Sequence, residues 1–209
     1  MTTRIGDQLA AGIIALALTA SPGGAFPALA QPTGAVEGTL EGLTKGPFVV
    51  YVEKITGAWA PTDPEPVMNQ KHNTYVPHVL PIVAGSKVEF HSADPELHNV
   101  YAWATALKRV LFNIAIPPSA PSYRKVFADP GVVRLTCNVH KEMLAFIVVV
   151  QNPHFTMVEK GATGFRLAGL PAGKHELRVW GEKLDDATLA KRFPVEVPAG
   201  GTARVSITP

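Results

Sequence analysis

Cysteine is nearly absent: Cys137 is the only one in 209 residues, which rules out an internal disulfide framework. Charge of one sign is lacking too, since 19 Lys and Arg face 17 Asp and Glu for a net of +2. That balance, with no basic stripe interleaved with aromatics, leaves no footprint for nucleic acid. Apolar runs are short. The longest near the start, residues 9–20, is well below the roughly twenty residues of a membrane span. Sustained 3.6-residue periodicity is missing, so long helices are not expected.

What is there points first to export. Arg4 lies in a short polar start, residues 9–20 are apolar, Pro22 and two glycines follow, and Ala28, Leu29 and Ala30 suit a cleavage site. Residues 1–30 read as a signal peptide whose removal leaves Gln31 first. No cysteine follows for a lipid anchor. A mature chain of 209 − 30 = 179 residues is long enough for one large or two small domains. Export without disulfides fits a bacterial periplasm.

The body of the chain is built of short β-patterned runs divided by 19 prolines and 18 glycines. The clearest are FVVYVEK (48–54), SKVEFHS (86–92), HNVYAWA (98–104), GVVRLTC (131–137), MLAFIVVVQ (143–151), HELRVW (175–180), FPVEV (193–197) and TARVSIT (202–208). The class is all-β. Alternation places Val133, Leu135 and Cys137 on an inward face and Arg134 and Thr136 on the other. MLAFIVVV is apolar on both faces, as in a central strand or one passing between two packed domains.

CNVHKEM, residues 137–143, carries the chemistry. It holds a thiol, an imidazole and a thioether in seven residues, and His98 lies 137 − 98 = 39 positions upstream, on a different strand. Two imidazoles, one thiolate and one weak thioether make a site between the preferences of copper(I) and copper(II), a type 1 copper site. Such a set changes oxidation state with little rearrangement and leaves no open position for substrate. An isolated cysteine at a strand end reads as a small buried apolar residue; His140 and Met143 turn the reading toward metal.

With these residues in view, the stretch of about 67–151 resembles the cupredoxin family. The Cys-x-x-His-x-x-Met loop is similar to that of amicyanin and other plastocyanin-like proteins, and TYVPHVLPIVAGSKVEF and FADPGVVRLTC are similar to cupredoxin strands. The resemblance implies a Greek-key β-barrel or sandwich holding one type 1 copper, with His98, Cys137 and His140 equatorial and Met143 axial. It also implies that Asn99 tethers the ligand loops by hydrogen bonds. Lys141 and Glu142 depart from the amicyanin pattern, where proline usually follows the second histidine, so potential and partner surface are not inherited. His91 is a second departure.

The tail, GFRLAGLPAGKHELRVW, is similar to a transthyretin-like or carboxypeptidase-regulatory-like β-sandwich. Since 152–209 is short for a sandwich of its own, residues 31–58 are expected to complete it, with the copper domain, 59–151, inserted between the two.

Other residues take ordinary roles. No His-x-His pair suggests a second, catalytic copper, and His72, His78, His91, His154 and His175 read as loop or packed residues. Lys108, Arg109, Arg124, Lys125 and Lys141 are candidates for a basic rim near the metal, with scattered surface charge as the plainer reading. Asp185 and Asp186 fall in GEKLDDATLAK, a candidate short helix, and no general acid and base pair stands out. Trp180 and Phe193 are expected in the tail's core, and Tyr101 and Trp103 in the copper domain's. The leading expectation is an exported mononuclear blue copper protein, not an enzyme, that carries single electrons between protein redox partners. The alternatives are a periplasmic copper carrier and a non-redox cupredoxin-like binding module.

Overall fold

The computed structural model describes residues 1–2 and 31–208, and the expected signal peptide lies almost wholly outside the described residues. Two strands open the described chain, β1 (Thr33–Leu40) and β2 (Phe48–Val52). The central stretch then forms β3 (Val67–Gln70), β4 (Tyr75–Val76), β5 (Val79–Val83), β6 (Ser86–Ser92), β7 (His98–Ala104), β8 (Arg109–Ile116), β9 (Tyr123–Phe127), β10 (Gly131–Thr136) and β11 (Leu144–Val150). The tail adds β12 (Phe155–Val158), β13 (Gly164–Pro171), β14 (Gly173–Gly181), α1 (Asp186–Ala190), β15 (Phe193–Val197) and β16 (Thr202–Ile207). The protein is all-β, and among the described residues no helix is long and apolar enough to cross a membrane.

β3 to β11 form a sandwich of two sheets, ordered β5-β11-β10-β7-β8 and β4-β3-β6-β9. Alternation decides what fills it. Val88 and Phe90 of β6 meet Val100 and Ala102 of β7, Val133 and Leu135 of β10, and Ala145, Ile147 and Val149 of β11. The parity read from GVVRLTC holds: Arg134 is exposed, while Cys137, one residue past β10, joins this core.

The second sandwich is discontinuous in sequence. β1 lies between β13, antiparallel, and β16, parallel, while β2 lies between β12 and β14. Its core takes Val36, Leu40, Phe48, Val50, Val52, Leu167, Leu177 and Val179. Close approach of β1 to its neighbours needs glycine at position 38, where a Cβ would stand 2.4 Å from the Phe165 ring and 2.6 Å from the Val205 carbonyl oxygen. Gly38→Ala is therefore expected to cost about 1–3 kcal/mol, read as a lowered midpoint in urea unfolding with an unchanged slope.

The doubly apolar β11 faces both sandwiches. Its odd positions fill the first core; Phe146, Val148 and Val150 instead pack with Val49 of β2, Val79 and Trp180. Trp180, expected in the tail's own core, sits in this interface, because Leu177 and Val179 already set the inward parity of β14. Phe193 does pack against the tail core. Tyr101 and Trp103 are corrected likewise: Val100 and Ala102 of β7 join the inner core, which turns the two aromatics onto the outer, half-buried face. Asp185 caps α1, accepting from the Thr188 backbone N–H at 2.7 Å.

Candidate metal centre

Three elements converge at one end of the first sandwich. His98 opens β7, Cys137 follows β10, and His140 and Met143 lie on the loop into β11, where the Met143 N–H donates to the His140 carbonyl at 3.1 Å. His98, Cys137 and Met143 are buried, and the His140 side chain is 18% exposed. Donor atoms of His98, Cys137 and His140 all lie within 4.8 Å of one another. His140 Nδ1 is 3.1 Å from His98 Nδ1 and 4.0 Å from the Cys137 sulfur.

Hydrogen bonds join the segments carrying these side chains. Asn99 Oδ1 accepts from the Asn138 backbone N–H at 2.5 Å, and Asn99 Nδ2 donates to Asn113 Oδ1 at 2.8 Å. The buried Tyr75 hydroxyl reaches the Asn99 carbonyl at 2.6 Å and the Thr136 carbonyl at 3.1 Å, spanning β7 and β10 just beside His98 and Cys137. Burial, reinforced by the nearby Cys137, holds the Tyr75 phenol well above the usual tyrosine range, so it stays a donor.

Asp94 is the residue that sequence reading missed. Its Oδ1 accepts from the His72 N–H at 2.7 Å, and its Oδ2 accepts from the Asn73 N–H at 3.0 Å and from His98 Nε2 at 2.9 Å. His72 and Asn73 both have φ of 54°, and these consecutive left-handed residues turn their N–H groups into a small anion-holding nest. Burial pushes the Asp94 carboxyl up, but the Asn73 and His72 N–H groups and His98 together outweigh it and hold the group below its ordinary value. Glu96 plays a looser, more exposed version of this part, 3.4 Å from His140 Nε2.

The consequence is a tautomer. An ionised Asp94 accepts only, so His98 carries its proton on Nε2 and leaves Nδ1 as a lone pair. Glu96 favours the same tautomer for His140. Two lone pairs then face each other at 3.1 Å, which is repulsive unless a proton or a metal ion lies between them. Imidazole nitrogens on one first-row divalent ion stand about 2.0–2.1 Å from it, so this spacing suits a shared ion. The buried Cys137 thiol, 4.0 Å from His140 Nδ1, adds a soft donor that favours copper over hard cations, and Met143 on the same loop is buried.

The other candidates stand apart. His72 is placed by its backbone at the Asp94 nest, and His91 is exposed on β6. His78 bonds the Leu144 carbonyl at 3.0 Å and Glu182 at 2.9 Å. His154 packs edge-on against Trp59, and His175 Nε2 meets the Pro171 carbonyl at 2.7 Å. The basic rim does not form at the metal end. Lys108 and Arg109 lie at the turn from β7 to β8, about 20 Å along the strand from His98, and Arg124 is paired with Glu65 and Glu89. Of the five cations only Lys141 sits on the ligand loop.

No protein-family model matches the chain, and no curated protein matches it. Solved structures similar to part of it are cupredoxins. A purple cupredoxin from Nitrosopumilus maritimus is 22% identical with a TM-score of 0.35, over 40% of this chain and 98% of that one. Amicyanin from Paracoccus versutus is 16% identical with a TM-score of 0.36, over 48% of this chain and 96% of that one. A reduced copper(I) form of an amicyanin variant is 22% identical with a TM-score of 0.38, over 42% and 84%.

Proposed function

We propose that this chain is an exported mononuclear type 1 copper protein that carries single electrons between protein partners. The observation that carries the reading is the pair of imidazole Nδ1 atoms 3.1 Å apart, with Asp94 fixing one tautomer, Cys137 alongside and Met143 buried on the same loop as His140. In this reading His98, Cys137 and His140 are the strong ligands and Met143 the weak one. When bound, copper supplies a one-electron couple. The protein's part is to hold the donors in one arrangement through Asn99, Tyr75 and Asp94, so that little has to move when charge changes. All four ligands come from the chain, which leaves no place for a substrate and favours a carrier over an enzyme.

The partner surface in this reading is the metal end. His140 is the one partly exposed ligand, and Val139 before it and Leu97 before His98 are 51% and 47% exposed, giving apolar surface suited to brief docking. Strand pairing supports a two-part organisation, with residues 59–151 forming the copper unit and 31–58 with 152–209 the second sandwich.

Cys137→Ser tests the ligand set. Loss of the thiolate is expected to remove the intense charge-transfer absorption of the copper(II) form entirely; a variant that keeps it would refute ligation by Cys137. Voltammetry of the copper-loaded protein separates a shuttle, which cycles reversibly, from a carrier, which releases copper on reduction.

A further inference from the structure

We infer that the open seam of the first sandwich, at the pole opposite the metal ligands, is a binding site for an apolar chain ending in an oxyanion, such as a medium-chain carboxylate. β8 and β9 are the edge strands of their two sheets and are not hydrogen-bonded to each other. Near the β7–β8 turn and the start of β10 they part to leave a cavity of about 310 Å³, at the small end of the roughly 300–1,000 Å³ typical of ligand pockets. Leu111, Phe112, Phe127 and Val133 line it. Phe112 stacks edge-on with Phe127 at 6.1 Å and with Phe90 at 5.7 Å, so its walls are anchored in the sandwich core rather than in a mobile loop.

Charge at this cavity is unbalanced by the protein. Arg109 and Lys125 line it, and neither forms an ion pair among the described residues, whereas Arg124, next to Lys125 on β9, is held by two glutamates. The Lys125 ammonium instead rests over the Phe112 ring, 5.6 Å from its centre. Asp129 is the one acid of the lining, and it pairs with neither cation. Two exposed apolar residues, Leu107 at 47% and Val126 at 59%, belong to the lining as well. Scattered singly they would need no explanation; gathered around an aromatic cavity with two free cations they select a ligand with an apolar body and an anionic head. Lys125 would leave the Phe112 face for the head as the chain took its place.

The test uses octanoate with the full mature protein, followed by isothermal calorimetry. Saturable one-to-one binding, weakened at least tenfold in Arg109→Gln/Lys125→Gln and at least tenfold weaker for octanol, is the expected result. Arg109 is exposed and Lys125 half-buried, and matched thermal melts establish that the variant is folded. Phosphatidylglycerol vesicles, sedimented with the protein, separate the two sources of such a chain. Vesicle binding without octanoate binding means a membrane surface and overturns the proposal. So does octanoate binding that the double variant leaves unchanged, or none at all.

Discussion

Asp94→Ala is expected to lower the melting temperature of the metal-free protein by about 6–12 °C and to weaken copper binding roughly 10–100-fold. Two backbone N–H groups, of His72 and Asn73, lose their acceptor, and the buried His98 loses the partner of its Nε2 proton. Each unsatisfied buried group costs about 1–3 kcal/mol; with the exposed ends of the 72–73 turn recovering water, about 3 kcal/mol remains. Loss of metal affinity has a separate cause. Without Asp94, His98 is free to place its proton on Nδ1, the atom that must be a lone pair for ligation. Differential scanning calorimetry reads the first effect and competition with a copper chelator the second. Affinity within twofold of the unsubstituted protein would mean that Asp94 does not set the ligand's tautomer.

The same carboxylate gives an acid dependence. Its folded value is held down, so its contribution is fully present above the unfolded carboxyl value near about 4 and fades as pH falls through the folded one. Melting temperatures of the metal-free protein should therefore drop below about pH 4, and less steeply in Asp94→Ala.

Phe146→Ala is expected to cost about 3–5 kcal/mol and to uncouple the two sandwiches. The ring lies 5.1 Å from Trp180 and takes His78 edge-on at 5.7 Å, at the centre of the interface formed by one face of β11. Neither inner core is touched, so each sandwich keeps its own packing while the surface between them loses an aromatic contact. Calorimetry should show one transition becoming two. A single transition shifted by less than about 2 °C would mean that the interface carries little of the stability.

Much of this was legible in the residues. GVVRLTC announces the inward cysteine because a strand's period is two, and MLAFIVVV announces a strand buried on both faces. Asp94 was not legible in the same way. Its partners His72 and Asn73 lie 21 or more positions upstream and are brought to it only by the turn after β3, although an acid four residues before His98 was a signal. Residue type alone points Trp180, Tyr101 and Trp103 to an inner core, whereas the parity of Val179, Val100 and Ala102 beside them fills it. RVLFNIAI and YRKVF give no clear strand signal because half-exposed edge strands mix charged and apolar residues without clean alternation.

The visible absorption spectrum of the mature protein loaded with copper(II) tests the central claim most directly. A thiolate from Cys137 and imidazoles from His98 and His140 on one ion predict an intense charge-transfer band that vanishes on reduction and returns on oxidation. Copper bound at one equivalent with only the weak absorption of nitrogen and oxygen ligation would contradict the account.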